Sequence, residues 1–346
     1  MVTRVGIIGL GRMGMLHLMS CRKIDGVSVV AAADSSKRAL KKAETLGVKK
    51  LYTDYHELLG KHSELDAVVL SLPNFMHFES IRLALEAGLN VFTEKPMATT
   101  VDECKEIARL VDRAGRKFMV GHCMRFLPAV EHMRKKIEEG SIGKLEVATI
   151  EEIINGPFAH PRNPSPVSDW WFDPKKSGGG ALLDVGYHMI DLYRFLAGNA
   201  KVVFAALDHK FNLPIEDGAI VMLQSQESST KGIINIGWYE KTIFPQYDFH
   251  VTLHGSSGFI SSDDLVPRSL YRHAAKEGIK NILGRIIRRK IRPLAYTYYY
   301  EQYYKEMVEF LNCVENDSSP SVTALDGLRT VELIDAAYKF QGSLTG

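Results

Sequence analysis

Three side chains in this sequence could together remove a proton from a hydroxyl group: Lys95, Asp184 and His188. Asp184 and His188 are four residues apart in a helical pattern, so both point to the same side of the helix. Histidine changes its charge near neutral pH and is a natural general base. The ammonium group of Lys95 can donate a hydrogen bond to an oxygen and polarise it. Taken singly, the same residues also fit an exposed ion pair and a solvated turn.

Lys95 lies in the stretch FTEKPMAT, directly after an apolar run that predicts a buried strand. Pro96 restricts Lys95 to an extended backbone and so fixes the direction of its side chain. Open α/β sheets bind ligands at the carboxyl ends of parallel strands, which is where this lysine is expected. The sequence leaves open whether Lys95 or His188 accepts the proton. Asp184 is expected to hold the substrate or to tune Lys95.

Residues 1–122 alternate short apolar runs with amphipathic helical stretches. The runs RVGIIGL, VSVVAAAD, LDAVVLSLP, NVFTEKP and KFMVGH lack the alternation of half-exposed strands, as strands buried on both faces do. We therefore predict an α/β fold for this part, with a doubly wound parallel sheet that would carry Lys95 at its edge.

The stretch GLGRMG follows the first of these runs and opens a helix, with Gly9, Gly11 and Gly14 in the GxGxxG spacing. Such a turn lets a pyrophosphate approach the backbone at a helix N-terminus. Asp34 ends the next strand, twenty residues after Gly14, where an acid would hold the hydroxyls of an adenosine ribose. The order predicts a Rossmann domain that binds NAD. Because Ser35, Ser36, Lys37 and Arg38 follow and could hold a 2′-phosphate, NADP stays open.

Residues 123–346 have a different residue pattern, with longer strand-like runs at 144–154, 200–210, 217–227, 230–240 and 246–264. Consecutive strands separated by turn residues predict a large, mostly antiparallel, open-faced sheet in an α+β domain. The strong helical pattern ALLDVGYHMIDLYRFLAG carries Asp184 and His188. We expect this second domain to bind the substrate and to form the oligomer interface.

Composition narrows the classes of protein that this chain can represent. It has 346 residues, 45% hydrophobic and 24% charged, with a formal net charge of +2, which offers no general attraction for nucleic acid or an anionic membrane. The four scattered cysteines argue against a disulfide framework and against a zinc site, and no other metal site is predicted. With neither a signal peptide nor a spanning segment in evidence, we expect a cytoplasmic protein.

Together, these motifs resemble the Gfo/Idh/MocA family of oxidoreductases, named for glucose–fructose oxidoreductase, inositol dehydrogenase and a rhizopine-catabolism protein. The likeness covers nearly the whole chain and rests, beyond GLGRMG, on EKP at 94–96, SLPNFMH at 71–77, GHCMRFLPAV at 121–130, SGGGALLDVGYHMIDL at 177–192 and LHGSSGFI in a late strand turn. It implies reversible hydride transfer between a nicotinamide and a secondary alcohol of a sugar or cyclic polyol.

The resemblance also implies roles for individual residues. The catalytic group would be Lys95, Asp184 and His188. Substrate would contact these three and Arg125. Apart from the resemblance, Trp170 and Trp171 lie in a long proline-rich loop before the catalytic helix, where they could stack on the apolar face of a sugar ring or one of them could pack under the loop. The expected cofactor-binding residues are Gly9, Gly11, Arg12, Met13, Gly14, Asp34, Ser35, Lys37, Ser71, Pro73, Asn74, His77, Glu94, Lys95 and Arg125.

The class of substrate depends on where a run of basic residues between Arg268 and Arg292 lies. If it borders the cleft, it favours a phosphorylated or nucleotide-linked sugar, since arginine pairs bidentately with phosphate; otherwise it is a solvated helix face. The run consists of Arg268, Arg272, Lys276, Lys280, Arg285, Arg288, Arg289, Lys290 and Arg292. No nucleic-acid reading motif accompanies it.

Three hypotheses follow: a dehydrogenase of a free sugar or cyclic polyol, a 3-dehydrogenase of a UDP-linked amino sugar, and a non-catalytic NAD-sensing regulator. Retention of Lys95, Asp184 and His188 weighs against the third. The strand-rich run 200–264 predicts a homodimer or homotetramer that pairs through the second domain's sheet.

Overall fold

The structure is a computed structural model that describes residues 2–61, 64–157, 167–238, 248–267, 270–286 and 298–344. The chain divides into two compact units. The first comprises Met1–His122, Lys175–Gly178 and Tyr303–Glu332, and the second comprises Cys123–Pro174, Gly179–Gln302 and Leu333–Gly346.

The first unit is built on a six-stranded sheet whose neighbouring strands are all parallel. The strands are β1 (Thr3–Ile8), β2 (Val27–Ala33), β3 (Lys50–Tyr52), β4 (Ala67–Leu70), β5 (Asn90–Thr93) and β6 (Phe118–Val120), in the order β3-β2-β1-β4-β5-β6. This confirms the predicted doubly wound sheet. The prediction missed β3, which has three residues and none of them buried, so it lacks the apolar run of a central strand.

Helices connect these strands, as parallel pairing requires. They are α1 (Arg12–Cys21), α2 (Lys37–Thr45), α3 (Tyr55–Lys61), α4 (His77–Glu86) and α5 (Val101–Ala114). Thr100 caps α5 by accepting the Glu103 amide hydrogen at 3.2 Å, and Gly115 ends this helix at φ +60°. Because all six strands run parallel, their carboxyl ends share one edge of the sheet.

The second unit contains a six-stranded mixed sheet in the order β12-β11-β7-β10-β9-β8. Its strands are β7 (Leu145–Ile154), β8 (Ala200–Asp208), β9 (Gly218–Ser225), β10 (Lys231–Trp238), β11 (Asp248–Gly255) and β12 (Gly258–Ser261). All neighbours are antiparallel except β10 and β7, which confirms the mostly antiparallel sheet. The run predicted at 246–264 forms the hairpin of β11 and β12, because the chain reverses at Ser256 and Ser257.

The remaining helices are α6 (Pro128–Glu138), α7 (Pro174–Ser177), α8 (Ala181–Ala197), α9 (Leu270–Ile286), α10 (Tyr298–Asn316) and α11 (Ala324–Leu344). α8 packs closely on one face of the mixed sheet. A Cβ atom on Gly232 of β10 would lie 2.6 Å from the ring of Tyr193 in α8, so only glycine allows this approach. Among the described helices, none is both long enough and apolar enough to cross a bilayer.

Candidate active site

The glycine turn between β1 and α1 has the shape that a dinucleotide requires. Gly9 has φ +84°, and a Cβ atom there would lie 2.3 Å from the carbonyl oxygen of Ser71. A Cβ atom on Gly14 would lie 1.7 Å from the carbonyl oxygen of Gly9, so both positions exclude side chains. At Gly11, in contrast, a Cβ atom would meet nothing within 4 Å. The first and third glycines therefore serve packing, and the second faces the open space that a pyrophosphate would fill.

The start of α1 offers its amides to an anion. Gly11 is the N-cap, no side chain caps it, and the first turn contains no acidic residue. Asp34 braces this turn, because its two carboxylate oxygens accept the amide hydrogens of Leu10 at 2.6 Å and Ser36 at 2.7 Å. Each oxygen keeps a lone pair for a ribose hydroxyl. These residues fit NAD: the amides of α1 would hold the pyrophosphate and Asp34 the adenosine ribose.

The residues after Asp34 do not decide between the two cofactors. Ser35, Lys37 and Arg38 are exposed, and the Ser36 hydroxyl caps α2 by accepting the Ala39 amide hydrogen at 3.3 Å. Ser35, Lys37, Arg12 and Met13 stay predictions as cofactor contacts. A 2′-phosphate would face the negative charge of Asp34, which favours NAD.

The loop after β4 is tied to the loop after β5. The His77 ring is fully buried, with Nδ1 at 2.6 Å from the carbonyl oxygen of Pro96 and Nε2 at 2.8 Å from that of Leu72. Burial lowers the pKa of His77 although both carbonyls favour its charged form. Asn74 donates to the Ser177 carbonyl at 2.8 Å, and the buried Ser71 hydroxyl has no partner among the described residues. His77 is therefore a structural link here, and the cofactor contacts predicted for Ser71, Pro73, Asn74 and His77 stay predictions.

Lys95 follows β5 at the same edge of the sheet, and the Lys95–Pro96 peptide bond is cis. Its backbone N–H donates to Oε2 of Glu94 at 3.2 Å. Oε1 of Glu94 accepts a hydrogen bond of 2.6 Å from Nε2 of His17, whose side chain is fully buried in α1. The side chain that directs the Lys95 backbone is thus itself held by the helix that presents the glycine turn.

A second carboxyl group joins this pair. One ligand atom from each of His17, Glu94 and Glu306 lies within 4.8 Å of the others. Glu306 in α10 is fully buried, and within the described part of the chain neither of its oxygens has a hydrogen-bond partner. We call these three residues the acidic cluster. The sequence suggested nothing of it, because His17, Glu94 and Glu306 are far apart along the chain and no motif joins them.

The two carboxyl groups of the acidic cluster have opposite pKa shifts. Burial disfavours the Glu94 carboxylate, but the hydrogen bond and charge of His17, together with Lys95, hold its pKa below the usual value. Burial, and then the negative charge of Glu94, raise the pKa of Glu306 well above its usual value. These are the directions expected for two neighbouring buried carboxyl groups, of which the one without a hydrogen-bond partner gives up its proton less readily.

In the second unit, α8 presents Asp184 and His188 as predicted. Both are half-buried, whereas every other residue from Ala181 to Ile190 is buried. Asp184 lies in the first turn of the helix, and its four-residue spacing from His188 places both on one face. These two side chains are the polar groups that the start of α8 turns outward.

The start of α8 is fixed by Glu216 and Tyr338. Oε1 of Glu216 accepts hydrogen bonds from the Gly180 and Leu182 amides, both at 2.9 Å, and from the Tyr338 hydroxyl at 2.8 Å. A Cβ atom on Gly179 would lie 2.1 Å from the Tyr338 oxygen. One on Gly180 would lie 1.9 Å from the Glu216 carbonyl oxygen. The glycine-rich approach SGGG is thus explained by close contact with a buried carboxyl group and phenol, neither of which the sequence singled out.

Arg125 is held by another buried acid. Its guanidinium donates to Asp191 of α8 through Nε at 2.8 Å and Nη2 at 2.5 Å, and it lies over the Phe195 ring at 5.2 Å. Both charged side chains are nearly inaccessible. The pair therefore anchors α8, and the predicted contacts of Arg125 with cofactor and substrate stay predictions.

The remaining residues predicted to bear on the substrate are the two tryptophans and the basic run. Trp170 and Trp171 lie in a short 3-10 helix, half-buried, with ring centroids 5.2 Å apart. Of the basic run, Arg272, Lys276 and Lys280 are exposed on α9, and Lys280 pairs with Glu277 at 2.6 Å. The residues Arg268, Arg288, Arg289, Lys290 and Arg292, and the side chain of Arg285, lie outside the described residues.

Comparison with known families covers both units. The oxidoreductase family with an NAD-binding Rossmann fold (Gfo/Idh/MocA) matches residues 3–122, and its C-terminal alpha/beta domain matches residues 134–342. The match confirms both the resemblance predicted from the motifs and the NAD-binding character of the first part of the chain.

Two curated relatives and one solved structure align over almost their whole length. Inositol 2-dehydrogenase of Rhizobium meliloti is 27% identical, with 98% of this chain and 97% of the relative covered. The NAD(+)-dependent scyllo-inositol 2-dehydrogenase of Bacillus subtilis is 27% identical, with coverages of 99% and 95%. A scyllo-inositol dehydrogenase from Lactobacillus casei, solved with NAD(H) and scyllo-inositol, superposes with a TM-score of 0.77 at 20% identity, covering 99% and 98% of the two chains.

Proposed function

The chain belongs to the Gfo/Idh/MocA oxidoreductase family, and we propose that it transfers hydride between NAD and a secondary hydroxyl group of a cyclic polyol or sugar. The observation that carries this proposal is the outward-facing pair of Asp184 and His188 at the otherwise buried start of α8. The lysine at the sheet edge and the similarity to inositol dehydrogenases support it.

In the proposed reaction, NAD held by the amides of α1 and by Asp34 would supply the hydride acceptor for the substrate carbon, or the hydride donor in the reverse direction. Lys95 donates a hydrogen bond to the reacting oxygen and stabilises the charge that develops there. His188 accepts the hydroxyl proton, since an imidazole is half-protonated near neutral pH. Asp184, one turn earlier on the same face, orients the ring hydroxyls of the substrate.

The test is a pair of histidine substitutions. His188→Ala should lower kcat by about 10²–10⁴-fold, the usual contribution of a general base, while the Kd for NAD is unchanged. His132→Ala serves as the control, because His132 is exposed on α6 and has no role in the proposal. Unchanged turnover in His188→Ala would falsify the catalytic assignment.

The substrate class is tested by the absorbance of NADH during turnover. A panel of free inositols, aldoses and UDP-linked amino sugars, each with NAD and with NADP, should give the highest kcat/KM with a free cyclic polyol and NAD. Preference for UDP-linked sugars would instead support a nucleotide-sugar dehydrogenase. NAD binding without turnover on any of them would favour a non-catalytic sensor.

We also propose that the open face of the mixed sheet pairs with a second copy of the chain. Residues on the face opposite α8 are apolar and accessible: Ile220 is 45% and Ile233 38% exposed. Met222 pairs with both Phe204 and Ile233 across the strands, so the apolar side chains form a continuous row. An apolar row of this kind is typical of a subunit interface.

Light scattering tests the pairing. Wild-type protein should have the mass of a dimer or tetramer, and Ile233→Asp should shift it toward the monomer because a charge would be buried. Ile279→Asp, at an exposed apolar residue of α9, is the matched control. A wild-type protein that is monomeric at micromolar concentration would rule out the interface.

A further inference from the structure

The acidic cluster has more negative charge available than a buried site can hold. His17 and Glu306 are fully buried and the Glu94 side chain is 12% exposed, yet the cluster contains two carboxyl groups and no described cationic side chain except Lys95 nearby. Two carboxylates so close in a dry interior cannot both be ionised, because each charge is costly to bury and they repel one another. Some positive partner, a proton or a metal ion, has to compensate.

The geometry favours a proton over a metal. Nε2 of His17 and Oε1 of Glu94 are 2.6 Å apart, the length of a charge-assisted hydrogen bond. Around a zinc ion, with ligand bonds near 2.0–2.2 Å, two such ligand atoms would be about 3.3 Å apart. Nδ1 of His17 has no partner among the described residues. Between Nε2 of His17 and Oε1 of Glu94 the distance fits a hydrogen bond and not two ligands that share a metal ion.

Three elements meet at this cluster, and each contributes to the first unit. His17 comes from α1, the helix that presents its N-terminus to the pyrophosphate, and Glu94 comes from the end of β5. Tyr303, Glu306 and Phe310 share one face of α10, where the Phe310 ring lies 5.7 Å from Phe92 and the Tyr303 ring 6.4 Å from His17. These ring contacts hold the face of α10 that carries Glu306 against α1 and β5.

We propose that Glu306 is a positioning residue for the reaction: it stays a carboxylic acid behind Glu94 and leaves the Glu94 carboxylate as the single negative charge that fixes Lys95. The inference rests on the proposed function only in taking Lys95 as the polarising group. Glu94 holds the Lys95 amide and also favours positive charge on its ammonium. A hydrogen bond from Glu306 to Glu94 would keep that carboxylate in one orientation.

The groups that face Glu306 determine how it titrates. They are Glu94 from the end of β5, His17 from α1, and Glu309 from α10 itself. The two acids disfavour a further negative charge, as does burial. Folded protein therefore holds a proton on Glu306 that unfolded protein releases above the ordinary glutamate pKa.

The protonation is tested without any assay of activity. In infrared spectra at pH 7, wild-type minus Glu306→Gln should show the band of a protonated carboxyl group, and wild-type minus Glu315→Gln, at an exposed acid of the same helix, should not. In urea unfolding, the unfolding constant of wild type should rise relative to that of Glu306→Gln by about tenfold per pH unit above pH ~5, because unfolding releases one proton. A ratio independent of pH, or a difference spectrum without the band, would overturn the proposal.

The positioning role needs kinetics. Glu306→Gln keeps a neutral hydrogen-bond donor and should stay within about threefold of wild-type kcat, whereas Glu306→Met has none and should lose roughly tenfold to a hundredfold in kcat with an unchanged KM for NAD. Equal losses in both variants, or none in either, would reject it. If no substrate is turned over at all, the proposed function fails while the infrared and pH results still decide the state of Glu306.

A metal is excluded or established directly. Wild type dialysed against Zn²⁺ should retain no ion at the cluster. One bound ion per chain that Glu306→Gln loses would show that the cluster compensates its charge with a cation, and would overturn the proposal.

Discussion

Two buried glutamates, Glu216 in the second unit and Glu306 in the first, differ in the hydrogen bonds that their carboxyl groups make. Burial raises the pKa of both. Glu216 accepts three hydrogen bonds on one oxygen, whereas Glu306 accepts none within the described part of the chain. A satisfied buried carboxyl group is explained by the structure that it stabilises. An unsatisfied one costs stability and needs another reason to be there.

The difference matters because each glutamate lies behind a part of the proposed active site. Glu216 holds the start of α8, and with it Asp184 and His188. Glu306 lies behind Glu94, and through it behind Lys95. We therefore expect Glu216 to act on stability first and Glu306 on activity first, and the same substitutions at both positions can separate these effects.

The largest effect is expected for Glu216→Met. It leaves the Gly180 and Leu182 amides and the Tyr338 hydroxyl without their acceptor, and should lower the free energy of unfolding by about 3–5 kcal/mol. The urea midpoint measures this loss. A loss below about 1 kcal/mol would mean that the three hydrogen bonds contribute little and that the contrast with Glu306 fails.

The same substitution at Glu306 should have a much smaller effect on stability. Methionine fills a similar volume and removes two buried oxygens that accept no hydrogen bond within the described residues, but it also removes the hydrogen bond proposed to Glu94, so Glu306→Met should change the free energy of unfolding by less than about 1 kcal/mol at pH 7. The control is Glu315→Met on the exposed side of α10. A loss as large as that of Glu216→Met, measured in the same urea series, would show that Glu306 is a structural anchor of the same kind and would remove the contrast.

Removing one donor from Glu216 gives a smaller effect. Tyr338→Phe deletes the 2.8 Å hydrogen bond but leaves both amide donors in place, and should cost about 0.5–1.5 kcal/mol. Phenylalanine keeps the ring packing, so the change isolates the hydroxyl. In a double-mutant cycle, the effect of Tyr338→Phe should largely vanish in the Glu216→Met background. Additive losses would contradict direct coupling of the two side chains.

The smallest effect is the pH dependence that Glu216 adds. Burial raises the pKa of Glu216 in the folded protein. Relative to Glu216→Gln, the glutamate therefore stabilises the fold below the ordinary glutamate pKa. This contribution to stability is lost as the pH rises through the folded pKa. Because three donors oppose the effect of burial, the stability difference should stop changing at a lower pH than for Glu306→Gln. Urea midpoints between pH 4 and 9 measure both curves. Coincident curves would remove the distinction between the two sites.

The sequence by itself determined the features that depend on local spacing. GLGRMG and the acid that ends β2 fixed the cofactor turn, since a tight turn at a helix N-terminus requires glycine at set positions. Uninterrupted apolar runs predicted the parallel sheet, and four-residue spacing placed Asp184 beside His188 on one helix face. The sequence did not predict the short strand β3, because three residues, none of them buried, show no periodicity.

Only the tertiary structure decided which buried side chains support the catalytic candidates. His17 and Glu306 come from opposite ends of the chain, and Glu216 and Tyr338 are 122 residues apart. A side chain's burial and its distance from another charge set its protonation, and both arise when distant segments pack. The sequence shows a glutamate at both positions. The donors that the fold brings within reach decide whether its carboxyl group accepts hydrogen bonds and anchors a helix, as at Glu216, or accepts none within the described residues, as at Glu306.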